Sequence, residues 1–116
     1  MEKVICVFGA SITWGACDEE KGGWINRLRL HLESFSNKIM IYNLGIPGET
    51  TDDLLKRFKN EAGVRLLDES ESKEYKDHNI IILSIGTNDS STDSKNSPRI
   101  SPEKFQKNLN KLFNQS

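Results

Sequence analysis

A chain of 116 residues, 35% of them apolar and 28% charged, carries enough nonpolar side chains for one soluble globular domain. Its 16 basic and 17 acidic residues are interspersed and leave a net charge of -1, which excludes a long-range field for gathering nucleic acid or an anionic membrane surface. No run approaches the roughly 18 apolar residues of a membrane helix, and two cysteines make no disulfide framework, so a reducing cytoplasmic setting is expected.

The first element is the apolar run Val4-Ile5-Cys6-Val7-Phe8, too short for a signal-peptide core and followed by no cleavage site. Residues 3–8 are therefore expected to form a buried strand. It breaks into Gly9-Ala10-Ser11-Ile12-Thr13-Trp14-Gly15, a serine in a glycine-flanked turn, where hydrolases expose a nucleophile. Beyond it, Cys17 reads as an inert loop thiol and Asp18, Glu19 and Glu20 as a solvated loop. Trp14 and Trp24 read as packing residues. Trp24, Ile25, Leu28, Leu32 and Phe35 then recur at spacings of three and four, which predicts an amphipathic helix.

Residues 38–44 form a second apolar run, leading into Gly45-Ile46-Pro47-Gly48-Glu49. A second helix is predicted from the capping candidates Thr50 and Thr51, the first-turn acids Asp52 and Asp53, and the face Leu54, Leu55, Phe58 and Ala62. The polar segment 68–77 reads as a solvated loop, and residues 79–85 as a third strand ending in Gly86-Thr87-Asn88-Asp89. After a second polar loop, 90–99, the sequence Ser101-Pro102-Glu103 is a cap with proline at the first helical position. It opens a helix carrying Phe105, Leu109, Leu112 and Phe113. The order is βαβαβα, and continuous Ile- and Val-rich strands point to a parallel sheet covered on both faces, one domain over residues 1–116.

In such a sheet, ligands bind beyond the carboxyl ends of the strands, where Ser11, Gly45 and Asn88 fall. Singly, Asn88-Asp89 could be a turn, and Gly45 and Gly48 loop punctuation. Together they suit acyl transfer. A serine hydroxyl attacks a carbonyl, and the oxyanion that forms needs donors already aimed at it, each worth about 3 kcal/mol. The backbone N–H groups of Ser11 and Gly45 and the Asn88 amide could supply three, with Gly45 letting substrate come close to the backbone.

These three blocks, in this order, resemble the SGNH hydrolases, also called GDSL esterases and lipases, with Thr13, Gly48 and Thr50-Thr51 fitting the surrounding patterns. The resemblance implies a three-layer α/β/α, flavodoxin-like fold, with strand order 2-1-3 here and 2-1-3-4-5 in the family. It implies Ser11 as nucleophile, and an oxyanion hole of Ser11, Gly45 and Asn88. It further implies a small acyl or acetyl ester as substrate and an acyl-enzyme; no metal cluster or cofactor motif appears in the sequence, so no cofactor or metal is expected. Two departures stand out: Ala10 replaces the family's aspartate, and the aspartate and histidine of its last block are absent from these 116 residues. The chain is thus expected to be an N-terminal portion, inactive or nearly so unless a second polypeptide supplies the base.

Neither histidine of the chain substitutes: His31 lies mid-helix and His78 precedes the third strand, at its opposite end from Asn88, so both read as surface residues. The outer edge of the third strand is expected to lack a partner and to promote self-association. The alternative reading is a flavodoxin-like binding module, with Ser11 and Thr13 holding a phosphate at a helix N-terminus. Asn88 discriminates, because a phosphate loop needs no amide at the third strand end.

Overall fold

The computed structural model describes residues 3–68 and 78–115. Positions 69–77 of the first polar segment therefore lie outside the described residues. Strand β1 (Lys3–Gly9) is the centre: every residue after Lys3 is buried, and alternate side chains enter two separate cores. Val4, Cys6 and Phe8 face one side, Ile5 and Val7 the other. That two-sided burial explains why the run is continuously apolar.

Strands β2 (Ile39–Gly45) and β3 (Asn79–Ser84) flank β1 in parallel, in the order β2-β1-β3. Helix α1 (Ser11–Trp14) is a single turn directly after β1, and α2 (Trp24–Glu33) covers the Ile5 and Val7 face through Ile25, Leu28 and Leu32. Phe35, expected on this helix, lies beyond its end and is exposed, its ring edge-on to His31. The acids before α2 do more than face solvent: Asp18 accepts from the Gly23 N–H at 2.9 Å and from Arg27 Nε at 2.8 Å, fixing the helix entry.

The second predicted helix is two. Helix α3 (Thr51–Leu55) starts with the expected Thr50 cap, reciprocated by Asp53 in a capping box, and α4 (Phe58–Gly63) follows. The break falls at Arg57, whose guanidinium turns back toward the end of β2. Leu54, Phe58 and Ala62 still reach the core as the periodicity requires. A further turn, α5 (Thr87–Ser90), follows β3, and α6 (Pro102–Gln115) begins where Ser101 Oγ accepts from the Lys104 N–H at 3.2 Å. Leu112 is buried beside Leu54, whereas Phe113, expected on the same apolar face, is exposed. With α2 on one face and α3, α4 and α6 on the other, the architecture is the expected three-layer α/β/α. Among the described residues no helix is long and apolar enough to cross a membrane.

Candidate active site

Strand register sets the site. Gly9 pairs with Gly45 on one side and Ser84 on the other, so three carboxyl ends stand in one row and their loops start side by side. After Gly9 the chain turns at once into α1, closed by Trp14 N–H to Ala10 O at 2.9 Å and Gly15 N–H to Ser11 O at 3.0 Å. Gly15 ends the turn at φ 116°, a conformation suited to glycine. Ser11 opens the turn, so its N–H has no acceptor within it, and its side chain is half-buried.

Ser11 and Asn88 come together. Both line a cleft of about 270 Å³, walled also by Thr13, Leu83, Ile85 and Thr87. Ile12, 66% exposed, stands at its rim. The Asn88 Nδ2 donates to the Glu49 carbonyl at 3.0 Å, which fixes the amide and leaves its second hydrogen for another acceptor.

Gly45 is placed differently from expectation. A Cβ there would stand 2.5 Å from Trp14 N and 2.9 Å from Ala10 O, so the missing side chain is what admits the α1 backbone. Its N–H donates to Asn43 Oδ1 at 3.0 Å, and Asn43 Nδ2 in turn donates to the Thr13 carbonyl at 2.9 Å. Gly45 is also not among the residues lining the cleft. To serve an oxyanion, its N–H would have to exchange Asn43 for the ligand.

Several residues that hold the site were not singled out from sequence. Glu49, 4% exposed, receives two hydrogen bonds from the Arg57 guanidinium, which also donates to the Leu44 carbonyl at 2.7 Å and pairs with Glu61. Burial opposes the charge on Arg57, yet its bonds to Glu49 and Glu61 outweigh it and raise the guanidinium's pKa. Asp89, 2% exposed, accepts from the Thr51 N–H at 3.1 Å and from Thr51 Oγ1 at 2.5 Å. Asn108 then donates to Thr51 Oγ1 and to Asp52, both at 2.9 Å. The Asp52 carboxyl is held below its usual range, first by Lys104 and then by Asn108. The weak available signal was an acid beside a candidate site residue: Glu49 before a double-threonine cap, Asp89 after Asn88.

No base reaches Ser11 among the described residues. The His78 carbonyl accepts from Val4 N–H at 2.9 Å, which puts this residue at the amino end of the sheet. Six strand residues at about 3.3 Å each separate it from Ser84 by about 20 Å. It is half-buried, not a surface residue as expected, while His31 is exposed on α2. Trp14 is 57% and Trp24 37% exposed, so both rings are only partly covered. Cys17 is exposed at φ 68°. Among the described residues no His, Cys, Asp and Glu cluster could hold a metal ion.

The sequence matches the family of GDSL-like lipases/acylhydrolases over residues 5–115. No curated protein matches it. Among solved structures it is similar to AlinE4, an SGNH-hydrolase family esterase, at 22% identity and a TM-score of 0.70, covering 99% of this chain and 53% of that one. It is also similar to the lipase/acylhydrolase from Enterococcus faecalis, at 24% identity and a TM-score of 0.67, covering 97% of this chain and 51% of that one. The chain thus spans about half the length of the solved structures it matches.

Proposed function

Because this chain belongs to the GDSL-like lipase/acylhydrolase family, we propose that it carries the nucleophile and oxyanion donors of a serine ester hydrolase acting on acyl or acetyl esters. The observation that carries the reading is the meeting of Ser11 and Asn88, from two different strand ends, in one cleft. Ser11 Oγ attacks the ester carbonyl, and the oxyanion accepts from the Ser11 N–H and the free Asn88 Nδ2 hydrogen. The tetrahedral intermediate collapses to an acyl-serine as the alcohol departs, and water releases the acid. The Ser11 proton must pass to a base, and neither histidine is within hydrogen-bond reach, so a base from outside these 116 residues has to complete the reaction.

The test compares p-nitrophenyl acetate hydrolysis by the chain and its Ser11→Ala variant, with and without added imidazole. The difference between the two proteins should be near zero alone and become measurable with imidazole, and Asn88→Ala should lower that difference about 10²-fold. Rates identical in Ser11→Ala under both conditions would refute the nucleophile assignment. Substantial turnover without imidazole, lost in Ser11→Ala, would refute the need for an external base.

A further inference from the structure

An amide at position 88 can stabilise an oxyanion only while it points into the cleft, and the element that carries it cannot set that direction alone. Helix α5 is one turn of four residues, closed by the Ser90 N–H donating to Gly86 O at 3.0 Å. A lone turn of this length does not hold its geometry in water, because ordering a first turn costs more than one hydrogen bond contributes. Its position must be imposed from outside.

Two side chains anchor it, and both reach the segment 49–51 where α3 begins. Asn88 Nδ2 donates to the Glu49 carbonyl at 3.0 Å, and the carboxylate of Asp89, the next residue, accepts from the N–H and the hydroxyl of Thr51. Behind that segment stands α6. Its inner face carries Leu112 and, one turn earlier, Asn108, which is 2% exposed. A primary amide on such a face destabilises the helix packing unless it is bonded, and Asn108 Nδ2 donates to Thr51 Oγ1 and to Asp52 Oδ1, each at 2.9 Å.

The direction of these bonds follows from the groups involved. Thr51 Oγ1 has one proton, and at 2.5 Å from Asp89 Oδ2 that proton is committed to the carboxylate. The hydroxyl can then only accept from its other neighbour, which an amide N–H at position 108 satisfies and a carboxylate there would not. We infer that Asn108 is a positioning residue for the Asn88 oxyanion donor, acting through the Thr51 hydroxyl and the Asp89 carboxylate. The inference rests on the reading of the Ser11 and Asn88 cleft given above. Asn108 fixes the rotation of the Thr51 hydroxyl, the hydroxyl holds Asp89, and Asp89 holds the α5 turn so that the Asn88 amide stays in the Ser11 cleft. Without the amide at 108 the turn gains freedom, where an error of about 1 Å costs up to about 10²-fold in rate.

The test follows the Asn88 side-chain amide in ¹⁵N spectra of the full chain, together with Ser11-dependent hydrolysis of p-nitrophenyl acetate in imidazole. Asn108→Ala and Thr51→Val should both shift the Asn88 amide and lower the Ser11-dependent rate about tenfold, less than removal of the Asn88 amide itself. Thr51→Ser, which keeps the hydroxyl, should stay near wild type in both, and the Thr51 pair decides the matter if Asn108→Ala does not fold. Leu109→Ala, which loosens the packing of the same helix on the core and spares these bonds, should leave both at wild-type values. An Asn88 amide that stays in place in Asn108→Ala and Thr51→Val, or that moves as far in Leu109→Ala, would overturn the assignment. So would a shifted amide with an unchanged rate. Absence of any Ser11-dependent rate in the wild type would refute the hydrolase reading instead, and the amide shifts would still decide whether Asn108 positions Asn88.

Discussion

Asp18 shows how a carboxylate outside the core can still be tied down. It accepts from the N–H groups of Lys21 at 3.0 Å and Gly23 at 2.9 Å, and from Arg27 Nε at 2.8 Å. The Arg27 guanidinium, and after it the Lys21 amide, hold the carboxyl well below the usual carboxylate range. A depressed folded-state pKa gives stabilisation that is complete above the unfolded value of about 3.9 and lost as pH falls toward the folded one. The Gly23 amide resonance should therefore stay in place through pH 4 and move only in stronger acid, whereas Asp18→Asn should shift it at neutral pH. An amide that titrates in wild type near pH 4 would contradict the clamp. Such contacts are hard to read from sequence: Ser11 and Asn88 were visible because each lies shortly after the carboxyl end of a strand, which is a local pattern. The roles of Asp18, Glu49 and Asp89 depend on partners 9, 8 and 38 residues away. The crowding of Gly45 by α1 was not legible, because it depends on how that turn sits against the end of β2.

At the scale of elements, the strands and longer helices followed from hydrophobic period, and the caps at Thr50 and Ser101 followed from residue type. The single turns α1 and α5, four residues each, are too short to show any period. The α3–α4 break was equally invisible, because it coincides with a long-range demand on Arg57. That arginine ties the end of β2, the Glu49 loop and α4 together, and the Glu49 carbonyl holds Asn88. Glu49→Ala leaves a largely buried guanidinium short of its partner and should cost about 3–5 kcal/mol in urea unfolding. The double variant Glu49→Ala with Arg57→Met should recover part of that loss. A cost below 1 kcal/mol for Glu49→Ala would show that water replaces the carboxylate freely.

On the scale of the whole molecule, β3 pairs with β1 alone among the described residues. Its Ile80 and Ile82 side chains pack on one core and Ile81 and Leu83 on the other, all only partly buried. An open, apolar edge of this kind pairs readily with another strand. Sedimentation should show the chain associating as its concentration rises, and Ile81→Lys should return it toward monomer. A wild-type monomer at millimolar concentration would count against edge pairing. The parallel sheet was legible because three similar runs alternate with helical patterns, and its order because the three blocks resemble the SGNH hydrolases.

The fit of Gly45 against α1 makes the Ser11 turn a passenger of the β1–β2 pair. With no gap between Gly45 and the backbone at Ala10 and Trp14, Ser11 cannot shift without prying two strands apart. Reactivity at Ser11 should thus be a thermometer for that strand pair, fading on heating in step with the opening of its ladder and not with the loosening of any surface loop.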